Sequence, residues 1–191
     1  HAHAVHAPAH DMEEAILSGG DPLTLGNARL ARLIAKLEHM GRVTTLRIHT
    51  RFPIVVPERV EDGLLHLLSA TRLRTVVVVH CNHPQEIDDD VAAALHRLRT
   101  ATRLLLNQSV LLAGVNDDAA TLTALSERLF EAGTLPYYLH LLDRVSGTAH
   151  FEVDEARAKS LVAEMRAHLP GYLVPRLVRE ISGELSKTPI V

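Results

Sequence analysis

The feature that most constrains the fold is the recurrence of short apolar, partly β-branched segments about every thirty residues. Five such segments occupy residues 15–18, 45–48, 75–80, 104–110 and 135–142. The stretches between them carry apolar residues three and four positions apart, which is the spacing of one face of a helix. Because a strand with its following helix takes about thirty residues, this period predicts alternating strands and helices with a parallel sheet.

The predicted strands read as almost continuous apolar runs, of which the four valines at 76–79 are the clearest. Such runs are typical of parallel strands that are covered on both faces. Five strand–helix units are too few to close an eight-unit barrel, so two architectures stay open: a doubly wound open sheet and a partial barrel. In both of them, polar residues at the carboxyl ends of the strands form the functional site.

Polar residues follow each predicted strand at its carboxyl end. These residues are Ser18, Gly19, Gly20 and Asp21; His49, Thr50 and Arg51; His80, Cys81, Asn82 and His83; Asn107, Gln108 and Ser109; and His140 with Asp143. In the first group, the two glycines leave the backbone free to approach a ligand beside a carboxylate, although most turns of this kind are only turns. A parallel sheet brings all five groups to one edge, where they form a single polar rim.

Several of these residues admit two interpretations. The spacing of His80 and His83 permits a metal pair, but it lacks the helical or paired-cysteine framework of zinc sites, which favours hydrogen bonding and capping. Asn107, Gln108 and Ser109 need partners in a half-buried strand, and the neighbouring backbone accounts for them as well as a ligand does. Lys187 is an ordinary solvated lysine unless a carbonyl cofactor forms a Schiff base with it.

Composition argues against several classes of function. No apolar run reaches the length of a membrane span and no leader-like segment opens the chain, so we expect a cytoplasmic protein without membrane contact. A formal charge of −3, scattered basic residues and 3% aromatic residues predict no nucleic-acid binding. Cys81 is the one cysteine and cannot hold a thiolate cluster alone, so such a cluster needs ligands from outside this sequence.

Six consecutive stretches within residues 15–191 together resemble the lysine 2,3-aminomutase family of radical S-adenosylmethionine (SAM) enzymes. They read SGGDPL, RIHTRFPIVVPERV, HCNHPQEI, LLNQSVLLAGVND, PYYLHLLDRVSGTAHF and GYLVPRLVREISGELSKTP. The last two are most similar to the branch of the family that makes (R)-β-lysine for the modification of elongation factor P. The resemblance implies an α/β fold, namely a partial (β/α)6 radical SAM barrel that here lacks its N-terminal strand and cluster loop.

The resemblance also implies a domain organisation and a reaction. Residues 1–14 are expected to be the stub of an upstream helical region, 15–170 the partial barrel and 171–191 the C-terminal cofactor segment. The implied enzyme is an isomerase that converts L-α-lysine to (R)-β-lysine with SAM, pyridoxal phosphate (PLP) and a [4Fe–4S] cluster bound upstream, so the fragment alone is expected to be inactive. The implied partners are lysine, elongation factor P with its lysine ligase, and further copies of the same chain.

Expected site residues follow from the same resemblance. Lys187 is the catalytic lysine that forms the Schiff base with PLP, and Asp143 and Glu180 fix the ε-ammonium group of lysine. The residues expected to bind SAM are Ser18, Gly19, Gly20, Asp21, His80 and Gln108. No residue of this chain is expected to bind a metal. The chain departs from the family pattern at Cys81, where an aromatic residue is common, and at Glu180, where aspartate is usual.

Two other functions compete with the aminomutase. One is a metal-dependent hydrolase on a βα barrel, in which divalent ions that activate water are held by His49, His80, His83, His140 and Asp143. That interpretation explains the histidines but leaves Lys187 without a role. The other is a non-catalytic relative that keeps the SAM or PLP pocket as a binding module.

Overall fold

Strands and helices alternate along the chain in the structure, a computed structural model that describes residues 13–142, 149–181 and 187–190. The strands are β1 (Glu14–Leu17), β2 (Thr45–Thr50), β3 (Arg74–His80), β4 (Leu104–Leu111), β5 (Leu135–Leu141), β6 (Arg176–Arg179) and β7 (Thr188–Pro189). The helices are α1 (Asn27–His39), α2 (Phe52–Val55), α3 (Asp62–Ala70), α4 (Asp89–Ala101), α5 (Ala119–Glu131) and α6 (Glu155–His168). None of the helices in these ranges has both the length and the apolar character needed to cross a membrane.

The order of the strands in the sheet is the order in which they occur in the chain. Strands β1 and β2, β2 and β3, and β5 and β6 pair in parallel, whereas the short β7 pairs with β6 in the antiparallel sense. A doubly wound sheet reverses its strand order at a switch point. The seven described strands show no such reversal, so the partial barrel, and not the doubly wound sheet, accounts for this topology.

The described residues form two compact units. The first runs to His80 and includes Asp89–Leu106, and the second contains Cys81–Asp88 and the described residues from Asn107 onward. The turns after β1 and β2 therefore belong to the first unit. The loop after β3 and the strands β5, β6 and β7 belong to the second.

Alternation along β2 organises the first unit. Leu46 and Ile48 point to a fully buried face, where Leu30 of α1 is also fully buried. Arg47 and His49 point to the opposite, half-buried face. Since side chains along a strand alternate between its two faces, the helices cover one face of β2, and the other presents polar side chains.

The core of the second unit lies between its sheet and α6. It buries the alternating leucines of β5, the apolar stripe of α6 and one residue of β6, which are Leu139, Leu141, Leu161, Met165 and Leu177. Ile190, just after β7, packs against the same cluster. This contact attaches the segment that follows β7 to the core of the second unit.

The five strands predicted from the period are all present, and their ends lie within two residues of the predicted ones. Strands β6 and β7 were not predicted. In β6 only Leu177 and Val178 are apolar, between Arg176 and Arg179, and β7 has two residues, one of them a proline. Both segments are too short to show a periodicity in the sequence. They are strands because of their pairing, β6 with β5 and β7 with β6. The expected stub at residues 1–12 lies outside the described residues.

Candidate active site

Gly19 and Gly20, directly after β1, form a turn that few other residues can adopt. Their φ angles are 80° and 45°, in the left-handed region that glycine tolerates without steric cost. Both residues are exposed, and a Cβ atom added to Gly20 would meet no heavy atom within 4 Å. The peptide groups of this turn are therefore accessible to a ligand.

The carboxylate of Asp21 ties this turn to the end of β2. Its Oδ1 accepts hydrogen bonds from the backbone N–H of Leu23 at 3.0 Å and from Thr50 Oγ1 at 2.7 Å. Its Oδ2 accepts a hydrogen bond from the backbone N–H of Arg51 at 2.6 Å. Both oxygens thus bond within the chain, so in this structure Asp21 acts as a clamp on the turn. The contribution of Thr50 was not foreseen from the sequence.

Replacing Asp21 with alanine is expected to lower the free energy of unfolding by about 2 kcal/mol, because it leaves the hydrogen-bond donors of Leu23, Thr50 and Arg51 without their acceptor. Urea denaturation measures this loss. Asp62→Ala is the matched control, since the Asp62 side chain is 98% exposed and its one ion pair, with Arg97, lies at the surface. Equal midpoints for the two variants would contradict the clamp.

Arg59 braces the same turn from the segment after β2. Its Nε donates to the carbonyl of Leu23 at 2.9 Å, and one terminal nitrogen donates to the carbonyl of Leu25 at 3.0 Å and to Asn27 Oδ1 at 2.9 Å. A guanidinium group has several donors in a fixed plane, so one side chain can hold several carbonyls. This role of Arg59 was not predicted from the sequence, because its partners lie more than thirty positions away.

His49 and His80 meet at the carboxyl ends of β2 and β3. Their ring centroids are 6.0 Å apart and the rings are nearly perpendicular, an edge-to-face contact. Both residues are half-buried. The contact fixes His80, one of the residues expected to bind SAM, against the neighbouring strand of the first unit.

His83 caps the short 3₁₀ turn Pro84–Glu86, as the capping interpretation predicted. Its Nδ1 accepts from the backbone N–H of Gln85 at 3.2 Å, while Glu86 Oε1 accepts from the backbone N–H groups of Asn82 and His83. Among the described residues, no three His, Cys, Asp or Glu side chains are grouped so that they could hold a metal ion. Asp143, the carboxylate of the hydrolase alternative, lies outside the described residues.

Asn107 and Ser109 anchor the loop that begins at Cys81. Asn107 Oδ1 accepts from the backbone N–H of Cys81 at 2.8 Å, and its Nδ2 donates to the carbonyl of Cys81 at 3.0 Å and to Ser109 Oγ at 2.9 Å. Ser109 Oγ donates to the same carbonyl at 2.9 Å. Both side chains are buried, so backbone satisfaction, the first of the two interpretations, accounts for them.

A second asparagine pair continues this network. Asn82 Oδ1 accepts from the backbone N–H of Val110 at 2.8 Å. Asn116, fully buried, donates through Nδ2 to the carbonyls of Asn82 and Val110 and accepts through Oδ1 from the N–H of Leu112. Asn116 was not identified from the sequence, where it directly precedes Asp117 and Asp118 and is typical of a polar loop.

Gln108 lies between Asn107 and Ser109 and is half-buried. Because side chains alternate along β4, it points to the face opposite its two neighbours. The strand thus uses Asn107 and Ser109 to hold the loop and leaves Gln108 on the other face. Asp143, expected to bind the substrate, lies outside the described residues.

Glu180 and Lys187 form an ion pair at the end of the sheet. Glu180 directly follows β6 and Lys187 directly precedes β7. The hydrogen bond from Lys187 is the main reason that the pKa of Glu180 lies below its usual value; the positive charges of Lys187 and His140 act in the same direction, and burial opposes them. The structure therefore brings together two residues for which the sequence predicted separate roles.

Curated proteins named L-lysine 2,3-aminomutase are similar to almost the whole chain. The protein from Haemophilus influenzae (strain ATCC 51907 / DSM 11121 / KW20 / Rd) is 51% identical over 178 residues, which are 93% of this chain and 53% of that protein. The protein from Escherichia coli (strain K12) is 46% identical over 94% of this chain and 53% of its own length. The protein from Clostridium subterminale is 34% identical over 94% of this chain and 43% of its own length. The chain spans about half the length of the curated relatives it matches. No family model matches the chain.

Solved structures with a similar fold include a radical SAM methyltransferase, an activating-enzyme domain and a protein bound to S-adenosylmethionine. The match to a radical SAM methyltransferase from Sphaerobacter thermophilus covers 80% of this chain and 56% of the methyltransferase chain, with a TM-score of 0.50 and 15% identity. The match to a domain of pyruvate-formate lyase-activating enzyme from Bacteroides vulgatus ATCC 8482 covers 87% of this chain and 98% of that domain, with a TM-score of 0.58 and 14% identity. The match to Streptococcus suis SuiB bound to S-adenosylmethionine covers 89% of this chain and 40% of the SuiB chain, with a TM-score of 0.60 and 9% identity. The fold expected from the sequence, a partial radical SAM barrel, is confirmed.

Proposed function

This chain belongs to the lysine 2,3-aminomutase family, and we propose on that premise that the protein converts L-lysine to (R)-β-lysine. The observation that carries the proposal is the 51% identity to the L-lysine 2,3-aminomutase of Haemophilus influenzae over 93% of this chain. The fold supports the same class of reaction, since it is similar to that of radical SAM proteins. Both findings support our proposal that the protein is an isomerase of the aminomutase type.

The proposed cofactors are SAM with a [4Fe–4S] cluster, and PLP. When bound, the cluster and SAM supply a radical that removes a hydrogen atom, and PLP supplies the carbonyl group that carries the nitrogen. The described residues fit two of these groups: the turn at Gly19 and Gly20 offers accessible peptide groups, and Lys187 offers a half-buried primary amine. Cys81 is the one cysteine of the sequence and is buried, so the cluster ligands are proposed to come from outside this chain.

On the SAM side, the accessible backbone of Ser18, Gly19 and Gly20 is proposed to face the methionine part of SAM. Asp21 then acts by holding the turn in its conformation, because its carboxylate already accepts three hydrogen bonds from the chain. His80 is proposed to contact SAM from the end of β3, supported by its ring contact with His49. Gln108 is proposed to do so from β4, where it lies on the face opposite the buried Asn107.

On the substrate side, the carboxylates of Asp143 and Glu180 are proposed to hold the ε-ammonium group of lysine. Two negative charges favour a cation and disfavour neutral analogues, because a site built to bind a charged group loses those interactions when the group is missing. Lys187 is proposed to hold PLP through its Nζ. Its ion pair with Glu180 supports a shared location for the cofactor and the far end of the substrate.

Replacing Asp143 with asparagine is expected to weaken L-lysine binding by about 10- to 100-fold, because it removes one charge-assisted hydrogen bond to the ammonium group. SAM binding should change by less than about twofold, since SAM is proposed to bind at the other strand ends. Titration calorimetry of both ligands on the PLP-loaded protein measures the two effects. Equal weakening of both would contradict the assigned role of Asp143.

The product is proposed to serve the modification of elongation factor P through its lysine ligase, rather than lysine catabolism. The support is the likeness of two stretches, PYYLHLLDRVSGTAHF and ISGELSKTP, to the branch of the family that has this role. The test is a transfer assay in which the enzymatic product is offered to the ligase and to elongation factor P. Incorporation of α-lysine in preference to the product would overturn this assignment.

The experiment that tests the proposed function is chemical trapping of PLP. The full-length protein is incubated with PLP, reduced with borohydride, digested and mapped by mass spectrometry. The proposal predicts a reduced PLP adduct on Lys187. An adduct confined to Lys36 or Lys159, or none at all, would overturn the assignment of Lys187.

A further inference from the structure

Glu180 and Lys187 lie one residue beyond the antiparallel ladder of β6 and β7, Glu180 after the end of β6 and Lys187 before the start of β7. Val178 is opposite Pro189 and Arg179 is opposite Thr188. Directly opposed residues of an antiparallel pair have their Cβ atoms about 4.5–5.5 Å apart. The ion pair therefore lies next to the last paired residues of β6 and β7, where the ladder holds the two backbones close together.

Packing on both sides maintains this register. Ile190, three residues after Lys187, packs against the core of the second unit, and the backbone N–H of Ile190 donates to the carbonyl of Leu177 at 3.0 Å. Leu177 itself is a buried member of that core. The Lys187 side chain is 29% exposed and that of Glu180 is 56% exposed, so the pair stays accessible to small molecules.

We infer that Glu180 serves two cations in turn: the ammonium group of Lys187 before PLP is attached, and the ammonium group of the substrate afterwards. The inference rests on the proposed function, in which Lys187 carries PLP and Glu180 contacts lysine. The structure supports the first of these two pairings. The Glu180 carboxylate, which is proposed to bind the substrate, is already paired with Lys187, which is proposed to hold PLP. Attachment of the cofactor then frees the carboxylate for the substrate.

The chemistry of attachment accounts for the exchange. The Lys187 ammonium first gives one proton to solvent, and the lone pair of the neutral amine attacks the carbonyl carbon of PLP. A C=N bond forms and the carbonyl oxygen leaves as water. Nζ, which carried three hydrogens beside Glu180, then carries at most one, so the carboxylate loses its multi-donor partner. Before attachment, Glu180 stabilises the ammonium form, which cannot attack a carbonyl, and so slows the reaction.

The test is the rate at which PLP attaches to the full-length protein, followed by its visible absorbance after rapid mixing at neutral pH. Glu180→Gln is expected to attach PLP about two- to fivefold faster than the unaltered protein, the range that corresponds to a largely exposed ion pair. Added salt should reduce this difference, because it screens the pair in the unaltered protein only. Once loaded with PLP, the variant is expected to bind L-lysine about tenfold more weakly.

Glu155→Gln is the matched control. It makes the same change of charge in the same unit, where Glu155 pairs with Lys159 and Arg179, and should leave the attachment rate unchanged. Equal rates for Glu180→Gln and the unaltered protein, with PLP mapped to Lys187 in both, would overturn this inference and leave the proposed function standing. Faster attachment with unaltered lysine affinity would overturn the exchange of cations. Absence of PLP from Lys187 in the unaltered protein would instead count against the proposed function.

Discussion

Replacing Lys187 with alanine is expected to lower β-lysine formation by about 1000-fold or more, because the amine proposed to hold PLP has no substitute nearby in the described chain. The fold should survive the change. Lys187 is half-buried and its ion pair with Glu180 is largely exposed, and such pairs contribute little to stability. Product formation by chromatography with mass spectrometry, and thermal unfolding, measure the two quantities on the same preparation.

Lys159→Ala is the control for the loss of a lysine. Lys159 lies on α6 and pairs with Glu155 four residues away, so its removal should change neither the activity nor the thermal midpoint appreciably. An active Lys187→Ala variant would contradict the role of Lys187. An inactive variant with a strongly lowered midpoint would show that Lys187 acts through the fold.

The largest expected effect on stability is that of Asn107→Leu, which should lower the free energy of unfolding by about 3 kcal/mol. The leucine is similar in size but removes the acceptor for the N–H of Cys81 and the donor to the carbonyl of Cys81. These groups are buried, so their loss is not repaired by water. Guanidinium denaturation followed by circular dichroism measures the change.

A graded series tests whether the backbone of Cys81 is the reason. Ser109→Ala removes one of the two side-chain donors to the Cys81 carbonyl and is expected to lower the free energy of unfolding by about 1 kcal/mol. The loss of unfolding free energy in the double variant Asn107→Leu/Ser109→Ala should differ from the sum of the losses in the two single variants, because the effects of residues that share a partner are not additive. Strict additivity would contradict the shared network.

The fold was predictable where local sequence carries it. The thirty-residue period predicts five strands because short apolar, partly β-branched segments recur at that spacing, and the four valines of β3 are the clearest of them. Strands β6 and β7 were missed because pairing with distant residues, and not their own composition, makes them strands. The choice between the doubly wound sheet and the partial barrel depended on strand order, which a linear pattern does not contain.

The site was predictable in composition but not in connectivity. Residue types at the strand ends identify Asp21 and Asn107, because polar side chains stand out beside apolar runs, whereas Lys187 was identified by the resemblance to the aminomutase family. Their partners lie far away in sequence: Thr50 for Asp21 and Cys81 for Asn107. The pairing of Lys187 with Glu180 depends on the register of two strands that had not been predicted.

The measurement that tests the central claim most directly follows the nitrogen atom of the substrate. The full-length protein, with its iron–sulfur cluster reconstituted, is incubated anaerobically with a reductant, SAM, PLP and L-lysine labelled with ¹⁵N at the α position, and the product is analysed by NMR. The account predicts β-lysine with the label on the β carbon. Reductive cleavage of SAM and a PLP adduct on Lys187, without any β-lysine, would contradict it.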